Sequence, residues 1–149
     1  MTRTRMLGAV LALSLPVLLA AGPARAAESP FGRWNTIDDK TGKVRSEVDV
    51  YEQGGKLFAK ITALTEPTDE QGKPRTCTKC QGPDKNAPVV GLIIIKDLSR
   101  DGDRWKGGTV MDPEDGKVYK AEVWPEDGKL KVRGYLGPFY RTQTWTKAR

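Results

Sequence analysis

The chain contains no histidine. Imidazole is the side chain that changes charge near neutral pH. Its absence removes imidazole general-base catalysis, Ser-His and Cys-His nucleophile pairs and histidine metal sites together. Cysteine is scarce as well: Cys77 and Cys80 are the only two in 149 residues. A closed zinc site needs four ligands, so two thiols without imidazole would have to borrow carboxylates or a second subunit. No cofactor and no metal is expected on this basis. Carboxylate, lysine or tyrosine chemistry stays open in principle, yet no spacing singles out a pair. Asp112, followed by Pro113, reads as a turn former rather than an acid or base. The expectation is a protein that is not an enzyme.

The first 26 residues carry the three parts of a secretory signal: basic Arg3 and Arg5, an apolar run from Met6 to Ala21, and the small-residue exit Ala24-Arg25-Ala26. The run is short for a bilayer span and contains Pro16, which fits a cleaved leader better than a retained anchor. No cysteine follows directly, which argues against a lipid-anchored form. A leader over 1–26, cleaved near Ala26, a single domain over 27–149 and a periplasmic location without membrane insertion are therefore expected. Excluding the leader's three arginines lowers Lys plus Arg from 25 to 22 against 19 acidic residues, and the net charge from +6 to +3. The remaining charges alternate in sign rather than forming a basic stripe, so nucleic acid is not an expected partner.

From Gly32 onward, short β-prone runs alternate with turn signals at nearly regular intervals, the pattern of an all-β sandwich or barrel. Val44, Val48 and Val50 share one face of a run whose other face carries Arg45, Glu47 and Asp49. After Gln53-Gly54-Gly55, Leu57, Ala59, Ile61 and Ala63 repeat the alternation, predicting a hairpin. Gly91 to Ile95 is apolar on both faces and reads as a strand covered on each side or as one whose outer face meets another element. Asp101-Gly102, Asp115-Gly116 and Asp127-Gly128 announce three further hairpins, because this dipeptide tolerates the positive φ of tight turns. Lys129 to Leu136 and Arg141 to Thr146, joined through Gly137-Pro138, close the chain. Gly107-Gly108 and Gly134 interrupt good strands and read as barrel corners. About eight such runs are present. Closure hides sheet edges better than an open sheet does, so an antiparallel up-and-down barrel is preferred, with a two-sheet sandwich as the alternative.

The longest stretch without strand character, Thr65 to Pro88, holds the Cys77-Thr78-Lys79-Cys80 motif. Export makes a disulfide the default, a clip of about 2 kcal/mol on a small ring. A thioredoxin-like redox pair would sit at a helix start in a βαβ unit, and a soft-metal site lacks ligands. The second constellation is aromatic. Trp105, Met111 and Tyr119 fall on the same parity as Ala121 and Val123, so Trp105, Met111, Tyr119 and Val123 are the candidate lining of an apolar interior. Plain core packing is the competing use of such residues.

Taken in order, Gly32-Arg33-Trp34, Cys77-x-x-Cys80, Gly107-Gly108 with Asp112-Pro113 and Gly116-Lys117-Val118-Tyr119, the stretch from Leu130 to Gly137, and Arg141-Thr142-Gln143-Thr144-Trp145 resemble a family of exported bacterial proteins known only as a domain of unknown function. The resemblance spans nearly the whole chain after residue 26. It implies a lipocalin-like barrel and a periplasmic home, with no activity attached. The Gly-x-Trp motif also resembles the opening of lipocalins, in which a late arginine packs over the tryptophan and closes one barrel end. That resemblance implies Trp34 and Arg141 as a structural pair. Two functions follow as expectations. One is the binding of a small apolar or amphipathic molecule in the barrel. The other is an envelope module that recognises a protein or glycan through the 65–88 loop.

Overall fold

The computed structural model describes residues 27–149; the leader expected over 1–26 lies outside the described residues. Eight strands succeed one another: β1 (Gly32–Ile37), β2 (Val44–Gln53), β3 (Lys56–Leu64), β4 (Ile93–Asp101), β5 (Arg104–Met111), β6 (Val118–Glu126), β7 (Lys129–Leu136) and β8 (Phe139–Lys147). Each pairs antiparallel with the next, and β1 pairs with β8 through Trp34↔Lys147 and Asn35↔Thr146. That last pairing closes the barrel and excludes the two-sheet alternative.

Period-two burial explains why these segments are strands. In β2, Ser46, Val48 and Val50 are buried between half-exposed neighbours, and in β3 the buried set is Leu57, Ala59 and Ile61. The ladder then places Val48 opposite Ile61 and Val50 opposite Ala59, so the two apolar rows meet on one face. The three Asp-Gly signals all fall at strand junctions. At the β6–β7 turn both Asp127 and Gly128 have positive φ, the demand that the dipeptide meets.

Two local readings are refined. The apolar run ending at Ile95 is only the beginning of β4, which starts at Ile93 and continues to Asp101. A register shift opposite Ala59 and Lys60 inserts an extra residue, and Ile94 and Ile95 are both buried there. Gly108 does lie at a bulge, where any Cβ would come within 2.0 Å of the Lys96 carbonyl oxygen. Gly134 is not a corner: its pairing with Ala121 and Arg141 is regular, and a Cβ there would stand 3.3 Å from that of Tyr119. It is a point where the Tyr119 side chain of the neighbouring strand β6 lies close over the backbone.

The two ends differ. At the base, the tight connections at Gly54-Gly55, Gly102-Asp103 and Asp127-Gly128 surround a plug of aromatic rings. Phe31 meets Trp105 edge-on with centroids 5.5 Å apart, and the Trp34 indole N–H donates to the Pro30 carbonyl at 2.8 Å. The cation over Trp34 is Lys147, its Nζ 4.4 Å from the ring centroid, and not the expected Arg141. Register explains the correction: Trp34 faces Lys147 across the closing seam, whereas Arg141 lies near the other end of β8, roughly 20 Å away at the rise of a strand.

Outside the wall, Trp124 is sandwiched between the guanidinium groups of Arg104 and Arg133, at 4.2 and 5.0 Å from its ring centroid. Beside it Glu122, nearly buried, accepts hydrogen bonds from Arg104 at 2.9 Å and from the Tyr135 hydroxyl. Burial pushes the Glu122 carboxyl upward, but these two donors, aided by the Arg104 charge, outweigh it and hold it below the ordinary glutamate value. A carboxylate depressed in the folded state contributes fully above its unfolded value of about 4.3, and the contribution fades as pH falls through the folded value. Glu122→Gln is therefore expected to cost about 1–2 kcal/mol at pH 7. Its deficit against the wild type should shrink between pH 5 and pH 3 in urea denaturation. A deficit constant across that range would contradict this role.

Candidate ligand-binding cavity

The aromatic plug fills the base, but the interior toward the other end is open, leaving a cavity of about 850 Å³. Its floor and lower wall are apolar: Trp145, Val132, Ile61 and Ile94 are buried and line it. Strand β8 grades the chemistry upward, because alternation turns Trp145, Gln143 and Arg141 inward in succession from floor to mouth. The Trp145 indole donates to the Gln143 amide oxygen at 3.2 Å. Thr36 and the buried Ser46 share a hydroxyl hydrogen bond of 2.7 Å on the adjoining strands β1 and β2.

Tyr119 leans into the space that Gly134 leaves. Its hydroxyl lies 3.4 Å from the Asp115 carboxylate. Burial first, and then that neighbouring charge, push its pKa up, so at neutral pH it is a protonated donor. At the mouth Arg141 donates to Asp39, with Nε–Oδ2 at 2.8 Å, and this bond raises the guanidinium pKa still further. Arg45 reaches both Asp38, at 4.0 Å, and Glu114. Asp38 is held below the ordinary aspartate value chiefly by the Thr41 backbone N–H, against the opposing pull of burial. The rim is thus a set of ion pairs in contact with water, above an apolar floor.

The connection between β3 and β4 completes the wall. Cys77 and Cys80 are joined in a disulfide and both are buried, which removes the accessible sulfur that a redox pair needs and leaves the clip. The Cys80 sulfur lies 3.5 Å from that of Met111, and the Cys77 sulfur 3.5 Å from the Pro113 carbonyl oxygen. Val89, from the same connection, faces the cavity.

The four residues expected to share one interior are divided by height. Tyr119 and Met111 reach the cavity, whereas Trp105 and Val123 face one another across β5 and β6 in the base core. The bulge at Gly107 also shifts the phase of β5, so Met111 pairs with the exposed Val118 and is buried by the disulfide. Gln143, Thr36, Ser46 and Asp39 are absent from the expected set. Alternation on β8 points to Gln143 between Arg141 and Trp145; Asp39 comes from a turn that no periodicity reaches. Among the described residues no group of three or more Cys, Asp and Glu side chains is placed to hold a metal ion.

A closed eight-strand barrel with a cavity at one end defines a lipocalin-like fold. A solved structure with this architecture, protein HP1028 from the human pathogen Helicobacter pylori, described as belonging to the lipocalin family, superposes with a TM-score of 0.66. It is 22% identical, over 80% of this chain and 82% of that one. No curated protein matches the chain. Residues 32–147 match the family described as "Uncharacterized protein conserved in bacteria (DUF2147)", and the chain belongs to that family.

The docking of the cysteine loop is open to a direct test. Gly116 has φ +71° and a Cβ there would fall 2.0 Å from the Lys79 carbonyl oxygen; Gly128 has the same φ with nothing within 4 Å. Gly128→Ala should cost about 1 kcal/mol from backbone strain alone. Gly116→Ala should cost at least about 2 kcal/mol more, since the loop backbone must move as well. Equal losses in chemical denaturation would mean that the loop does not rest on this turn.

Proposed function

We propose that the barrel holds one small amphipathic molecule, with its apolar part on the Trp145 floor and its polar end among Gln143, Tyr119 and Arg141. The observation that carries this reading is the cavity itself. Its 850 Å³ lies within the range of small-molecule sites, and its lining passes from apolar to polar along a single strand. A plain core would be filled by side chains, as the base is. The expected setting is the periplasm, where a carrier would shield an apolar molecule from water. Binding through the 65–88 loop is the weaker reading, because the Cys77–Cys80 clip and the turn beneath it commit much of that loop to the cavity wall.

Two fluorescent probes test the proposal: neutral N-phenyl-1-naphthylamine and anionic anilinonaphthalene sulfonate. Both should bind at micromolar concentration with one site. Leu64→Trp, a substitution of a half-buried residue lining the cavity near the mouth, should weaken both by about tenfold or more by occupying the volume. Arg141→Ala should weaken the anionic probe by about three- to tenfold and leave the neutral one nearly unchanged. Indifference of both probes to Leu64→Trp would place them elsewhere and defeat the proposal.

A further inference from the structure

Six large apolar side chains are exposed among the described residues: Val44, Val90, Val118, Leu136, Phe139 and Tyr140. All six lie at the mouth, and none at the base. Half of them come from one element, the β7–β8 hairpin tip, whose sequence Leu136-Gly-Pro-Phe-Tyr140 bears no charge. Leu136 and Phe139 are partners across the turn and are 65% and 74% exposed, more than any other apolar side chain of their size here. Apolar side chains gathered at one end of a barrel whose wall is otherwise charged mark a contact surface.

The charges around this tip identify the partner. Lys117 in the β5–β6 turn and Lys120, Arg133 and Arg141 on β6 to β8 flank it, against the carboxylates of Asp115 and Asp39, which Lys117 and Arg141 already engage at 3.8 Å and by direct hydrogen bonds. Among the described residues Lys120 and Arg133 have no carboxylate within 4.0 Å. Arg133 instead lies over the Tyr140 ring, 4.3 Å from its centroid, which holds a cation beside an exposed aromatic. Exposed Leu and Phe for the acyl boundary, Tyr at the level of the head groups and cations unengaged by protein carboxylates form the combination that settles on an anionic bilayer.

We propose that the β7–β8 tip docks the mouth of the barrel onto an anionic phospholipid surface, with Leu136 and Phe139 entering the head-group region and Lys120 and Arg133 meeting lipid phosphates. The attachment is peripheral. On β5 to β7 the outer wall below the tip carries Lys106, Glu122 and Lys131 around the lone Trp124, so the wall itself has no apolar band to face lipid. The mouth opens between Leu136, Phe139 and Arg141, so a docked barrel turns its cavity toward the bilayer.

A Phe139→Trp reporter reads the contact, because the four native tryptophans are all buried. Gln53→Trp, on the exposed base turn, serves as the control. Vesicles of phosphatidylethanolamine with one-third phosphatidylglycerol should shift the emission of the Phe139→Trp variant to the blue and allow its quenching by brominated lipid, with the added indole of the Gln53→Trp control unaffected. Leu136→Ser/Phe139→Ser should reduce co-sedimentation with these vesicles by about tenfold or more. Lys120→Glu should reduce it about fivefold at low salt, and 1 M salt should erase that difference. Any apolar segment preceding residue 27 is common to all variants, so the differences report the tip. Equal sedimentation of all variants would overturn the proposal. So would a blue shift of the tip reporter that needs no vesicles and rises with protein concentration as the chain dimerises. The inference is separate from the occupancy of the cavity: probe binding that survives without vesicle attachment would remove only the docking.

Discussion

Everything in this molecule depends on the closing of one hydrogen-bonded ladder. The seam between β1 and β8 joins only two residue pairs, against six or more between most neighbouring strands. It nevertheless turns an eight-strand meander with two free edges into a wall without edges. Once the ladder is closed, alternation acquires an absolute meaning, because odd and even residues become inside and outside. Lys147 shows how the seam is held. Its backbone pairs with Trp34, its ammonium lies over the Trp34 ring, and its Nζ donates to the Phe31 carbonyl. Closure and the sealing of the base are therefore achieved by the same residues.

A barrel of this size has room for side chains or for a ligand, and here the choice differs along its axis. Two-residue turns draw the strands together at the base, where Trp34, Trp105 and Phe31 meet. At the mouth three of the four connections are longer: a polar turn after β1, the clipped loop after β3 and the ion-paired turn after β5. These spread the rim and contribute wall residues of their own, such as Val89. The disulfide acts here in a limited way. Its ring is too small to stabilise the whole chain greatly, but it gives the loop a rigid apolar knob that packs on Met111 and the β5–β6 turn.

Much of the fold is legible in the order of residues alone. Val48, Val50, Leu57, Ala59 and Ile61 announce two strands by alternation, and Asp127-Gly128 announces the turn that its φ values require. Less of the cavity is legible, for two physical reasons. Alternation tells which side of the wall a residue faces but not how far along the axis it stands, so Trp105 and Tyr119 share a side and yet serve opposite ends. Alternation also fails at an inserted residue: the Gly107 bulge changes the phase of Met111, and the extra residue of β4 buries Ile94 and Ile95 together. The exchange of Arg141 for Lys147 over Trp34 has the same root, since a motif order along the chain carries no register across the seam.

The separation of the two ends has an energetic consequence. Leaving 850 Å³ unfilled forgoes the dispersion and burial that side chains would supply, and such losses are tolerated only where the remaining contacts are sufficient. The base supplies them with Leu57, Leu98, Leu130, Val123 and the aromatic plug, all far from the mouth. Polar groups at the mouth can then be arranged for recognition without risk to the core, because each has a partner: Ser46 with Thr36, Gln143 with Trp145, Arg141 with Asp39. An incoming polar end need only exchange one of these partners for itself. Of the three, the bond between Arg141 and Asp39 is the one in contact with water and therefore the least costly to open.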